Sequence, residues 1–208
     1  MTKITGEFAE VASESAIMET AQSLMENGFN VQVVGSVIDA KKTVEKLVPK
    51  GVEVYTTASK TTEQAGIKEM LDESGNYTSV RKLTEKLDFK DDFREIIKNW
   101  STPEYMVGSV HALTRDGHAL IASRSNSQLP GYANGAAHVV WVVGAQKIVD
   151  SVDEGIKRIK EYVVNLEDKR IKEVYGKDAS TKINSILIKY AEDQPRTNIV
   201  IVKEAVGF

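Results

Sequence analysis

The run His138-Val-Val-Trp-Val-Val-Gly144 is apolar without interruption from Val139 to Val143. A strand with one wet face alternates polar and apolar side chains, so an unbroken run this short describes a strand covered on both faces. It therefore needs one packing layer above it and another below. It is also far short of the ~20 apolar residues that span a membrane. Strands of this kind sit at the centre of parallel sheets whose crossovers are helices, and the rest of the chain supplies such units.

From about Phe8 to Asn27, the residues Val11, Ser15, Met18, Ala21 and Met25 fall at helical spacing, and Gly28 is a helix stop. Asn30-Val-Gln-Val-Val-Gly35 then reads as a strand, followed by a helix with Val37, Ala40, Val44 and Leu47 on one face. After Pro49-Lys50-Gly51 the pattern repeats: a strand at Val52–Thr57, the turn Ser59-Lys-Thr-Thr62, and a helix around Glu63 to Ser74. Two such βα units in succession imply a parallel sheet. The charged stretch from Val80 to Trp100 reads as one or two surface helices broken near Asp91-Asp92. Asp116-Gly117, between the apolar runs Tyr105–Thr114 and His118–Ser123, signals a β-hairpin. Ser151-Val-Asp-Glu154 has the form of a capping box opening a helix with Val152, Ile156, Ile159 and Val163 on one face. A second helical segment runs from Leu166 toward Tyr175, and Ile183–Tyr190 and Asn198–Val202 close the chain as strands. The expected architecture is α/β, a mostly parallel sheet with flanking helices and an antiparallel hairpin, in one domain over residues 1–208.

Composition narrows the function. At 208 residues the chain buries roughly 70% of its unfolded surface, enough for a core without staples. It has no cysteine, which removes thiol nucleophiles, cysteine-ligated zinc and iron–sulfur clusters held by this chain. With 27 Lys+Arg against 30 Asp+Glu there is no attraction to a polyanion and no basic run, so nucleic acid is not an expected partner. The N-terminal MTKITGEFAEVASES lacks an apolar signal core, and a cytoplasmic, membrane-free protein is expected.

Ligands of open α/β sheets sit outside the carboxyl ends of the strands. The segments there are Gly35-Ser36, Thr57 with Ser59-Lys60, Gly108-Ser109, Ser123 to Gln128, and Gly144 to Lys147. Small residues let backbone approach a ligand, hydroxyls and helix-start N–H groups bind anions, and Lys60, Arg124 and Lys147 add charge. The ligand-binding candidates are thus Gly35, Ser36, Thr57, Ser59, Lys60, Ser109, Ser123, Arg124, Ser125, Asn126, Gln128, Gly144, Gln146 and Lys147, outlining a pocket for a small carboxylate or phosphate. Helix capping is the better account of Ser36 and Ser59, ahead of ligand contact, and the whole account of Ser151, while Lys60 and Lys147 fit solvated surface positions as well as a site. The densest polar segment, Ser123 to Gln128, is the leading binding loop. Phosphate-loop, dinucleotide, nucleophile-elbow and zinc signatures are missing. His111, His118 and His138 have no metal-ligand spacing and read first as structural residues, and turn chemistry accounts for Glu104; no catalytic residue is identified, with His111, following Ser109, and Glu104 the weak candidates for moving a proton.

These residues resemble a known family. Gly108-Ser-Val-His-Ala-Leu-Thr-Arg-Asp-Gly117, Ser125-Asn-Ser-Gln-Leu129, Val139-Val-Trp-Val-Val-Gly-Ala-Gln-Lys-Ile-Val149, Arg158-Ile-Lys-Glu-Tyr162, Leu166-Glu-Asp-Lys-Arg170 and Glu204-Ala-Val-Gly-Phe208 resemble the short stand-alone LUD-domain proteins (lactate utilisation, formerly DUF162). Gly51 to Gly66 fits as well, so the likeness covers nearly the whole chain. It implies a fold similar to ribose-5-phosphate isomerase and the CoA-transferases, the NagB/RpiA/CoA-transferase-like architecture. In the wider family a LUD protein works beside iron–sulfur subunits in oxidising L-lactate to pyruvate. This chain lacks the cysteine clusters of larger members, and Asn165 stands where the short branch commonly has proline. The resemblance implies a ligand-binding or accessory subunit with iron–sulfur proteins as partners; the missing flavin, metal and thiol motifs imply no cofactor bound by this chain, and a homo-oligomer is expected. The alternatives are an enzyme acting on a sugar phosphate or acyl-CoA, and a homodimeric interaction module without a small ligand.

Overall fold

The computed structural model describes residues 8–208; the first seven residues of the N-terminal segment, read above as free of a signal core, lie outside them. In chain order the elements are α1 (Glu14–Glu26), β1 (Asn30–Val34), α2 (Val37–Leu47), β2 (Glu53–Thr56), α3 (Lys60–Gln64), α4 (Ile67–Glu73), β3 (Thr78–Ser79), α5 (Val80–Thr84), α6 (Phe93–Ser101), β4 (Tyr105–Gly108), β5 (Ala112–Thr114), β6 (Ala119–Ser123), β7 (His138–Gly144), β8 (Ile148–Val149), α7 (Val152–Arg158), α8 (Val164–Tyr175), β9 (Ser185–Lys189) and β10 (Thr197–Val202). Wide helical turns occupy Gly131–Gly135 and Ile159–Val163, the latter joining α7 to α8 without a break.

Six strands form a wholly parallel sheet in the order β1-β10-β7-β4-β2-β3. Within β7, Val139, Trp141 and Val143 face one way and Val140 and Val142 the other, and all five are fully buried. The second face is covered by α2, α3 and α4 through Ala40, Val44, Ala65, Ile67 and Leu71. The first is covered by α1, through Ile17, Ala21 and Leu24, and by Leu113, Ala119 and Ile121 of a second sheet. That sheet, ordered β8-β5-β6-β9, is mixed and presents its outer residues Ala112, Leu120 and Val149 to Ile159. Gly155 lets α7 lie close on it, since a Cβ there would stand 2.9 Å from a methyl of Leu120. Among the described residues no helix is long and apolar enough to cross a membrane.

The α/β architecture with a parallel sheet and an antiparallel hairpin is as expected, with four local differences. The run Tyr105–Thr114 is two strands: β4 stays in the parallel sheet, the chain bends at His111, and only β5 pairs with β6. The hairpin therefore belongs to the second sheet. The helix expected from Glu63 to Ser74 is divided at Gly66, whose φ of 62° is left-handed and opens α4 afresh. In α1 the buried stripe is Ile17, Thr20, Ala21 and Leu24, while Val11, Met18 and Met25 are exposed; only Ala21 is common to the expected and observed faces. The closing strands part company too, β9 beside β6 and β10 between β1 and β7.

The turn between β9 and β10 links the two sheets around one buried carboxylate. Glu192, with its side chain 2% exposed, accepts from the Thr197 N–H at 2.9 Å and hydroxyl at 2.7 Å, and pairs with Lys189 at 2.6 Å and Arg196 at 3.4 Å. Arg196 in turn donates to the carbonyls of Gly131, Tyr132 and Ala136, fixing the wide turn. Removing one member of such a buried set leaves the others uncompensated. Glu192→Ala is expected to cost about 3–5 kcal/mol in urea unfolding. Glu73→Ala, which breaks the exposed Lys82–Glu73 pair, should cost no more than about 1 kcal/mol.

Candidate functional site

Because all six strands of the larger sheet run the same way, the ends of β2, β4 and β7 open on one edge. The chain leaves β7 through the tight turn Ala145–Lys147 and carries Lys147 inward, where its side chain is fully buried. Its ammonium nitrogen donates to Thr61 Oγ1 at 2.9 Å, Ser109 Oγ at 3.1 Å and the Val110 carbonyl at 3.1 Å. Thr61 lies in α3 after β2, and Ser109 and Val110 follow β4. The partners of the lysine thus come from the turns after two other strands, and all are neutral.

A second cation lies beside it. Arg158, at the end of α7, is completely buried; one terminal nitrogen donates to the His111 carbonyl, while Nε and Nη2 have no hydrogen-bond partner. The guanidinium sits 5.2 Å from the centroid of the Tyr162 ring. Among the described residues, no ion pair includes either Lys147 or Arg158. Burial, and then the charge of Arg158, holds the Lys147 amine well below the ordinary lysine range. Burial also draws Arg158 down, to about 10, so it remains a cation at neutral pH.

His111 completes the cluster. Its Nδ1 accepts the Ala122 N–H at 3.1 Å, which leaves the proton of the neutral ring on Nε2. Burial, followed by the charges of Lys147 and Arg158, lowers its pKa to about 3. The imidazole is therefore a neutral hydrogen-bond donor across the physiological range. At the end of β4, Tyr132 OH and Thr57 Oγ1 are hydrogen-bonded at 3.1 Å, and Gly108 makes room for them: a Cβ there would stand 2.1 Å from both oxygens.

Of the candidates read from sequence, Thr57, Ser109 and Lys147 meet in or beside this cluster. Gln146 and Gly144 serve it from behind. The Gln146 side-chain amide donates to the carbonyls of Val206 and Gly207, and a Cβ on Gly144 would collide with the Gln146 Oε1 at 2.2 Å. The 206–207 segment so held also accepts from Thr61. Ser59 caps α3, and Lys60 pairs with Glu63 on the surface. The Gly35-Ser36 turn already has its anions: Ser36 caps α2 and binds Asp39, and the Val37 N–H donates to Glu204. In the segment Ser123 to Gln128 the polar groups largely satisfy one another. Ser123 donates to Gln128, Ser125 bonds Ser127, the Asn126 N–H donates to Ser123 with φ at 62°, and Arg124 donates to the Ser180 carbonyl. Glu104 precedes β4 at the opposite end of the sheet from His111, so these two do not share a site.

Arg158 and Thr61 escaped the sequence reading. The signal for Arg158 was Gly155, three residues earlier on the same helical face, since a glycine inside a helix marks close approach to a neighbour and brings the next turn with it.

With this geometry in view, the comparisons are direct. The family model of the LUD domain matches residues 17–202. The chain belongs to the LUD-domain family. The match takes in every residue of the cluster, from Thr57 to Arg158. Among solved structures, this LUD domain is similar to a DUF162 family protein from Deinococcus radiodurans, with a TM-score of 0.57 and 12% identity, covering 93% of this chain and 99% of that one. That likeness is one of fold. No curated protein matches the chain.

The depressed pKa of His111 has a measurable consequence. Between pH about 6.5 and about 3 the unfolded chain takes up a proton at this position that the folded chain refuses, so stability falls as pH drops through that window. His111→Gln keeps an acceptor for the Ala122 N–H and does not titrate. From pH 7 to pH 5, urea unfolding should show the wild type losing about 1 to 2 kcal/mol more than the variant. Equal losses would mean that His111 titrates normally.

Proposed function

We propose that this LUD-domain protein binds a small carboxylate at the Lys147–Arg158–His111 cluster, as a ligand-binding or accessory subunit in the use of lactate or a related organic acid. One observation carries the reading: Arg158 is wholly buried, beside a second buried basic group, with two of its N–H-bearing nitrogens unpaired and, among the described residues, no ion-pairing acid to balance it. A buried unpaired cation costs several kcal/mol, and a fold that retains one gains from an anion that comes and goes. The planar fork of a guanidinium matches a carboxylate through two parallel hydrogen bonds. Ser109 and His111, each only partly buried, form the side of the cluster that a small acid meets first.

Electron transfer from lactate would fall to iron–sulfur partner proteins, because this cysteine-free chain offers no cluster ligands of that kind. An accessory role also needs a surface where subunits meet. Leu83, Phe89 and Phe93, exposed by 45%, 58% and 49%, offer apolar surface around α5 and α6.

The test is thermal unfolding of wild type and Arg158→Met with lactate, pyruvate and inorganic phosphate. Ligands that bind only the native state raise the melting temperature by mass action, so lactate and pyruvate should raise that of the wild type. Replacing the buried cation by an apolar side chain should abolish the shift while leaving the unliganded protein equally stable or about 1–4 kcal/mol more stable. A shift with phosphate alone would move the reading to an enzyme of sugar phosphates or acyl-CoA. An Arg158→Met protein that is destabilised and still responds to lactate would make Arg158 a structural residue.

A further inference from the structure

Lys147 does more in this cluster than a second positive charge requires. An ammonium group placed only to hold an anion is more effective when it stays charged, yet this one is completely buried, feels the charge of Arg158 and has no carboxylate partner among the described residues. Burial beside a second positive group is the arrangement that turns lysine into a free amine and a carbonyl nucleophile. The hydroxyls around it accommodate that form. Thr61 donates to the Val206 carbonyl, and Ser109 to the Val110 carbonyl, through long bonds of 3.3 Å each. Either hydroxyl proton can turn from so weak a bond to the amine lone pair at little cost.

Lys147 and Arg158 are also tied to neighbouring points of the chain. Lys147 is bound to the Val110 carbonyl and Arg158 to that of His111, at the bend between β4 and β5. A small acid that reaches both would set its carboxylate on the unpaired guanidinium nitrogens and an electrophilic carbon beside the amine. We infer that Lys147 is a Schiff-base lysine that captures 2-oxo acids, molecules whose carbonyl adjoins the carboxylate taken by Arg158. The inference rests on the carboxylate reading of the site given above.

In the first step the Lys147 nitrogen bonds to the carbonyl carbon as the C=O π pair moves to oxygen. A proton passes from nitrogen to that oxygen, giving a carbinolamine, and Ser109 and Thr61, whose hydroxyls touch the nitrogen, are placed to carry it. Loss of water then leaves the imine. Amine and oxo acid give imine and water, and nothing is oxidised or reduced. A 2-hydroxy acid such as lactate offers the same carboxylate without the electrophilic carbon, so it can occupy the site but cannot be captured.

The experiment treats the whole protein with pyruvate and cyanoborohydride at pH 6, followed by intact mass and peptide mapping. Exposed lysines have reference pKa values near 10.4, so only about one in twenty-five thousand is a free amine at that pH. The expected result is one reduced pyruvyl adduct per chain, on Lys147, suppressed by excess lactate. Lys147→Arg should form no adduct, and the lactate protection of the wild type locates the reacting amine at the same site if that variant fails to fold. Pyruvate and lactate both raising the melting temperature with no adduct on Lys147, or with adducts spread over surface lysines, would overturn the covalent step and leave the carboxylate reading standing. No thermal shift with either acid, and no adduct, would overturn both.

Discussion

The burial of β7 on both faces is the constraint on which the rest of the structure depends. Five consecutive apolar residues, three facing α1 and the second sheet and two facing α2 to α4, cannot be satisfied by a two-layer protein. The molecule accordingly stacks helices, sheet, second sheet and helices. Parallel pairing of β7 with β4 and β10 follows from covering the sheet on both sides, and it aligns the carboxyl ends of the strands. That alignment brings Thr61, Ser109 and Lys147 together from the turns after three different strands. Gly108 and Gly144 hold the arrangement open, because a Cβ at either would enter the hydrogen bonds of Thr57 and Tyr132 or of Gln146.

Against that ordered frame the cationic cluster runs counter to stability. Elsewhere the molecule compensates its buried charge: Glu192 has Lys189, Arg196 and Thr197, and Asp72 has the hydroxyls of Thr56 and Ser79 with Lys68 and Arg81 nearby. Lys147 and Arg158 receive no such treatment, and the neighbouring His111 is kept neutral. The molecule balances its buried acids and leaves two buried basic groups unbalanced at the edge where α/β folds bind ligands, and the ligand site proposed above rests on that imbalance. The same imbalance explains both the affinity proposed for a small acid and the nucleophilic character inferred for Lys147.

Much of this was legible in the chain itself. The unbroken run in β7, the βα units at Asn30–Leu47 and after Gly51, the Asp116-Gly117 hairpin and the caps at Ser36, Ser59 and Ser151 are local signals, set by backbone preference and side-chain periodicity over a few residues. They were sufficient for the α/β class, for the strand-end segments and for Lys147 as a candidate. The serine-rich segment 123–128 shows where such reading stops, since a cluster of polar residues looks the same in sequence whether it awaits a ligand or bonds to itself, as here.

What only the tertiary structure decided depends on groups far apart in the chain. Whether Lys147 was solvated or buried, and with what for company, was settled by Thr61, 86 positions away, and by Ser109, 38 positions away. Arg158 became part of the site because Gly155 let α7 settle onto the second sheet, and the chain bend at His111, which separates β4 from β5, put a carbonyl in its path. The anion-binding promise of the Gly35-Ser36 turn was withdrawn by Glu204, from the far end of the chain. Local sequence determines which elements form because their preferences are short-ranged. Desolvation and charge balance are properties of everything within several ångströms, and in this protein those neighbours are assembled only when the two sheets pack.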